Sequence, residues 1–285
     1  MNISHLQYFL DAAKNQSISR SAQIHRVSHS AVSQAIRSLE NELGIELMVH
    51  SKRMFELTQA GELCRTELSR VLGDFNDFKE LVRQASKEPT GELILLSPQS
   101  LISDTLHETL FLFRQRYPKV RIRLTTGAAH NVRQGISDQS AQIGFLLDDG
   151  LISGFESTLI RKGHFVLAAR KKELSLEKAS VLITSPQKIE VQHLRRNFEA
   201  RFKKNLQAEM EIVSWGLIKQ MILKKNVIGY LPDYCIQEEL QMKKLFAIEG
   251  PGSAFKYELK AIWNKNKSLH RNAKLFLSLL KKEQV

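Results

Sequence analysis

Apolar positions recur at helical spacing over the first ninety residues and in short strand-like runs after that. Ile3, Leu6, Phe9, Leu10 and Ala13 step by three and four, which predicts an amphipathic helix ending near Asn15. Ser17 can cap a shorter helix over residues 18–25, because its hydroxyl can accept from the free amides of the first turn. Val32, Ile36, Leu39 and Leu43 then share one face of a longer helix, capped by Ser28 and stopped by Gly44. Helix, short helix, tight turn and longer helix is the helix-turn-helix plan, whose last helix enters a DNA major groove. Beyond Gly44, residues 45–50 and 54–57 read as two short strands around Ser51, Lys52 and Arg53, a hairpin with two cations at its tip.

Thr58 can cap the next helix, which continues without proline to about Ser86. Its apolar residues Cys64, Leu68, Val71, Phe75, Phe78, Val82 and Ala85 step by 4, 3, 4, 3, 4 and 3. A 3.5-residue average is a coiled-coil seam, and the helix would be roughly 42 Å long. With no second helix of that length in the chain, the same helix of another subunit is its simplest partner. The alternative is a long helix lying on its own C-terminal domain.

The other side of the 29–43 helix carries His29, Ser30, Ser33, Gln34 and Arg37, with no acidic residue between Ser28 and Ser38. Hydrogen-bonding groups with one fixed cation suit base edges and phosphates. Candidate DNA contacts are therefore Ser28, His29, Ser30, Ser33, Gln34 and Arg37, with Ser17 and Ser19 of the preceding helix and Lys52 and Arg53 of the hairpin tip. A solvated helix back and a solvated turn are the plainer readings of the same residues.

After Pro89, Thr90 and Gly91 the chain alternates strand and helix. Strands are expected at residues 93–97, 120–126, 142–147, 165–169, 180–184, 209–213, 227–231 and 257–263; helices at 102–116, 131–137, 191–204, 215–225, 234–242 and 269–282. Such alternation predicts an α/β fold with largely parallel sheets, whose ligands sit at the carboxyl ends of strands. Three strand ends place small polar residues ahead of a helix: Ser97 to Ser100, Thr184-Ser185 and Ser214-Trp215. Free amides and the positive end of the helix dipole suit such junctions to anions, though each can equally be a plain cap.

Composition narrows the picture. The 285 residues are 42% apolar but hold no run of about 18 apolar residues, so no membrane span is expected. Residues 1–15 include Gln7, Asp11 and Lys14, which interrupts any signal peptide, and a cytoplasmic protein is the expectation. Cys64 and Cys235 lie far apart with no metal-ligand spacing, which predicts no disulfide and leaves a redox role open. No metal set and no cofactor motif are found. Residues 1–90 hold 11 Lys+Arg and 11 Asp+Glu, whereas residues 91–285 hold 31 and 19, so the whole surplus of +12 belongs to the second part. Bulk charge is thus no argument for DNA binding by the N-terminal helices.

The first ninety residues resemble the N-terminal part of LysR-type transcriptional regulators. Leu6, Phe9, residues 17–22, Val27-Ser28, Ala31-Val32-Ser33, Ile36, Leu39-Glu40, Leu43-Gly44 and Leu57-Thr58-x-Ala60-Gly61 match in type and spacing. The resemblance implies a winged helix-turn-helix DNA-binding domain (1–57), a dimerising linker helix and hinge (58–90), and a two-lobed effector domain similar to periplasmic (type 2) solute-binding proteins (91–285). Lobe I would take residues 91–162 and 265–285, and lobe II residues 163–264. It further implies an inter-lobe cleft lined by Ser97, Gln99, Ser100, Thr126, Ser185 and Ser214, with Trp215 or Phe145 as a wall.

Departures are His29-Ser30 where the family has Gln-Pro, Leu47-Met48-Val49-His50 where it has Leu-Phe-x-Arg, Asn226 for a common Gly, and Gln142 for a common Asp. The expected partners are double-stranded DNA with a pseudo-palindromic operator, a small effector with anions among those that fit, a homodimer or dimer of dimers, and RNA polymerase. No membrane is among them. A cytoplasmic small-molecule-binding module whose N-terminal helices serve assembly is the alternative. Catalysis is not expected, since no nucleophile, base and orienting group stand at a telling spacing.

Overall fold

A computed structural model describes residues 2–50, 55–83, 88–177, 179–206, 208–252 and 254–283. The chain forms two compact units, Met1–Glu88 with Ser137–Ser140, and Pro89–Ile136 with Ala141–Val285.

The first unit opens with helices α1 (Ile3–Asn15), α2 (Ile18–His25) and α3 (His29–Leu43). Ser17 Oγ accepts from Arg20 N at 3.2 Å and Ser28 Oγ from Ala31 N at 3.1 Å, so both serines act as the expected caps. Gly44, with φ +70°, ends α3 in the left-handed region, where an L side chain is disfavoured. Leu6, Phe9, Leu10, Val32, Ile36 and Leu39 bury together. Leu43 departs from the expected stripe: it is 44% exposed. Between α1 and α2, Ser21 Oγ donates to Tyr8 O and His25 Nε2 lies 2.7 Å from Asp11 Oδ2.

Strands β1 (Met48–His50) and β2 (Phe55–Leu57) pair antiparallel, with Met48 opposite Leu57. The first begins later than residue 45, and Met54, expected to start the second, lies outside the described residues. Glu40, 7% exposed, explains the start of β1: its Oε1 accepts from Leu47 N at 2.9 Å and Met48 N at 3.2 Å. Lys52, Arg53 and Ala85 lie outside the described residues. Helix α4 (Gln59–Arg83) is capped by Thr58, whose Oγ1 accepts from Gly61 N at 3.0 Å and donates to Glu46 O at 2.7 Å. A Cβ on Gly61 would stand 1.9 Å from Leu47 O, so the hairpin lies directly on α4 at a point only glycine leaves open.

In the second unit, β3 (Gly91–Ser97), β4 (Val120–Thr126) and β5 (Ile143–Leu147) are parallel, as are β7 (Val181–Ile183), β8 (Ala208–Glu211) and β9 (Ile228–Pro232). Two antiparallel strands join these groups: β6 (Phe155–Ala169) and β11 (Lys256–Asn264). A short strand, β10 (Phe246–Ile248), adds to β6, giving the order β4-β3-β5-β11-β6-β9-β7-β8 with β10 beside β6. Residues 155–164 and 246–248 were not expected as strands; the first stretch keeps mostly part-exposed polar residues because sheet pairing, not burial, holds it.

Around the sheet lie α5 (Gln99–Leu101), a π-turn (Ile102–Leu106), α6 (His107–Arg116), α7 (Ala129–Ser137), α8 (Ile189–Phe202), α9 (Trp215–Lys224), α10 (Gln237–Gln241) and α11 (Arg271–Glu283). A 3-10 turn, Asp233–Ile236, precedes α10. Phe145 is not a cleft wall here. It is fully buried, edge-on to Phe276 at 6.2 Å, because all of residues 143–146 in β5 are covered.

Candidate nucleic-acid interface and binding cleft

The polar residues of α3 stand where helical geometry puts them, on the side away from Val32, Ile36 and Leu39. His29, Ser30, Gln34 and Arg37 are exposed and Ser33 is half-buried. Ser28 and Ser30 hold each other, Oγ to Oγ at 2.8 Å, so the cap and the first turn form one hydroxyl pair. Ser17 spends its hydroxyl on the α2 cap, and Ser19 is exposed beside it. No carboxylate interrupts this surface, and among the described residues Arg37 has no ion-pair partner. The stripe presents donors, acceptors and one cation, the groups that recognise base edges and phosphates.

On α4 the heptad residues divide. Cys64 and Leu68 pack against the helical core of their own unit, and Phe75 is half-buried. Val71, Phe78 and Val82 are 53%, 59% and 59% exposed, an apolar stripe that none of the described residues of the unit covers. Burial raises the Cys64 thiol above its usual value and that of Cys235 well above it, which disfavours the reactive thiolate at both.

The expected cleft residues gather in two groups within the second unit. Ser97 and Thr126 are register partners at the carboxyl ends of β3 and β4, with Gln99 and Ser100 directly after. Ser97 is fully buried and donates to Pro98 O, while Gln99 and Thr126 are exposed. Ser185 follows β7 and hydrogen-bonds Gln187; Ser214 Oγ caps α9 by accepting from Leu217 N. Trp215, half-buried, lies against Phe165 at 5.7 Å and under the Lys188 ammonium at 4.8 Å. Its indole Nε1 is buried with no hydrogen-bond partner.

Residues that the sequence did not single out connect the two groups. Ser100 Oγ lies 3.3 Å from the Tyr234 hydroxyl, and the Tyr234 ring stands edge-on to Trp215 at 6.3 Å. Burial holds the Tyr234 phenol well above its usual range, so it stays protonated. Lys219 of α9 reaches Asp104 of the π-turn at 3.1 Å and Glu239 of α10 at 3.5 Å. Burial works against the Lys219 charge, but Asp104 and then Glu239 outweigh it and hold the ammonium above its ordinary value. Asp233 accepts from Tyr257 Oη and from His164 N, beside the end of the β6–β11 pairing. Each partner is distant in sequence, so no spacing rule could have paired them.

The description "Bacterial regulatory helix-turn-helix protein, lysR family" matches residues 3–62, and "LysR substrate binding domain" matches residues 86–284. The HTH-type transcriptional regulator PtxR of Pseudomonas aeruginosa is 31% identical over 153 residues, 53% of this chain; the chain spans about half of that relative, 49%. YwbI of Bacillus subtilis, named as an uncharacterized HTH-type transcriptional regulator, is 26% identical over 97% of this chain and 95% of its own. Full-length OxyR from Pseudomonas aeruginosa has a similar fold, with a TM-score of 0.72 at 14% identity, covering 99% of this chain and 98% of that one.

Proposed function

The chain belongs to the LysR family of bacterial helix-turn-helix regulators, and on that footing we propose how it works: as a homodimer or dimer of dimers that reads a pseudo-palindromic DNA site through α3 and answers to a small effector. The observation that carries the reading is the exposed, acid-free stripe of His29, Ser30, Gln34 and Arg37 on a helix whose other side is core. Twofold pairing through Val71, Phe78 and Val82 of α4 would present two such helices to one duplex, as symmetric half-sites require. With duplex DNA as partner, the protein works in the bacterial cytoplasm, and no step of this reading asks for catalysis.

Gel shifts on DNA adjoining its own gene test the recognition helix. Arg37→Ala should weaken specific binding by about 5- to 150-fold, the roughly 1–3 kcal/mol of one good base contact, and Ser33→Ala by less. Undiminished sequence-specific binding by both variants would remove α3 from the interface.

The effector reading rests on Ser100, Tyr234 and Trp215. Each half of the second unit supplies a polar group there, and the Trp215 Nε1 donor lacks a partner. An effector that separated Ser100 from Tyr234 would change how the halves are joined, which is how differential binding shifts a conformational balance. Small carboxylates screened by thermal shift should stabilise the wild type and fail with Ser100→Trp. Equal stabilisation of both would place the ligand elsewhere.

A further inference from the structure

Five strands of the second unit end in one row. Ala169 of β6 faces Phe246 of β10, Val181 of β7 faces both Ala208 of β8 and Ile228 of β9, and Ala168 faces Gly229. The carboxyl end of β6 and the amino ends of β7, β8, β9 and β10 therefore lie together. At about 4.8 Å per strand the row is roughly 19 Å wide. It is the end opposite Ser185 and Ser214, which follow the carboxyl ends of β7 and β8.

Basic residues crowd this end. Residues 170–172, Arg-Lys-Lys, follow β6 directly, and a lysine pair precedes each of β8 (Lys203, Lys204), β9 (Lys224, Lys225) and β10 (Lys243, Lys244). All nine are exposed. Among the described residues only Lys204 has a carboxylate within ion-pair reach, Glu177 at 3.2 Å. Helix dipoles explain part of this, since a cation at a helix carboxyl terminus is favoured by about 0.3–1 kcal/mol. They do not explain the doubling of each lysine or residues 170–172, which follow a strand. Lys203 and Lys243 moreover hold φ of +54° and +56°, the left-handed region that glycine or asparagine would occupy at lower cost.

We propose that this basic end is a second, sequence-independent DNA contact that grips the phosphates of a duplex. The charge distribution is the strongest reason. Residues 1–90 are electrically balanced as a whole, so beyond its few candidate contacts such as Arg37 the helix-turn-helix unit brings no net positive surplus to the DNA phosphates. The whole +12 lies in residues 91–285. A duplex offers one charge per about 1.7 Å of axis, so a 19 Å row faces several phosphates at once. Eight lysines and one arginine are point charges suited to a phosphate backbone, and a duplex is the polyanion that presents one along a straight axis.

The inference rests on the DNA-binding reading, and one experiment separates the two. Full-length wild type is compared with a variant carrying Lys224→Gln, Lys225→Gln, Lys243→Gln and Lys244→Gln, by fluorescence anisotropy on a 60-bp mixed-sequence duplex in 50 to 200 mM salt. The slope of log affinity against log salt should fall by about two to four, at ~0.9 for each phosphate no longer neutralised, with binding at least about 10-fold weaker at the lower salt. Because the four side chains are exposed, the variant should melt like the wild type; if it does not, Gln at residues 170–172 gives the same comparison. Unchanged slope and affinity, the result expected were the surface meant for an acidic protein, would overturn the proposal while leaving the α3 reading intact. A wild type that binds no duplex would overturn both.

Discussion

Glu40 lies at the joint between α3 and the hairpin. It is on the core side of α3, and its carboxylate oxygen takes the amides of Leu47 and Met48 where β1 starts. A buried donor left without an acceptor costs about 1–3 kcal/mol, so Glu40→Ala should lower the urea midpoint of the first unit markedly, and Glu40→Gln less because its carbonyl still accepts. Equal, near-zero losses would show that water replaces the carboxylate. Nothing in the hydrophobic pattern points to this role; periodicity places Glu40 on the helix, but only folding brings residues 47 and 48 to it. The caps at Ser17, Ser28, Thr58 and Gly44 are different, since each caps backbone within a turn of itself and is legible in local sequence; only the further bond from Thr58 to Glu46 O is not.

At the scale of elements, α1, α2 and α3 are readable to their last residue because both their caps and their apolar spacing are local. Helix α4 is readable as a helix, yet its 3.5-residue seam serves two surfaces. Cys64 and Leu68 turn to their own core, whereas Val71, Phe78 and Val82 remain bare. Burying an apolar side chain of this size is worth roughly 1.5–3 kcal/mol, enough in sum to hold a dimer. Phe78→Glu should therefore give a monomer by analytical ultracentrifugation without unfolding the first unit. An unchanged sedimentation mass would reject pairing through α4. The first half of β6 escaped the sequence because residues 155–164 are polar and half-solvated, and β10 because three residues carry no period.

At the scale of the whole second unit, the joined sheet and the Lys219 cluster decide how its two halves are held. Lys219 links the π-turn after α5 to α9 and α10. Its folded-state value is raised above that of a free lysine, so its contribution to stability is fully present below about pH 10.4 and is lost as pH rises through the folded value. Thermal melts of wild type should fall off above about pH 10.4, and Lys219→Met should flatten that alkaline loss. An identical alkaline profile in the variant would mean that the ion pairs are too well solvated to matter.

By itself the sequence determined the helix-turn-helix, the cap residues, the alternating α/β order and the polar stripe of α3, because each depends on contacts within a few residues or on a repeating period. Tertiary structure alone decided that Phe145 is core, that Tyr234 meets Ser100, that Lys219 meets Asp104, and that four scattered basic runs share one end of a sheet. Those outcomes join positions dozens to more than a hundred residues apart, and strand order and register, not local pattern, bring them together.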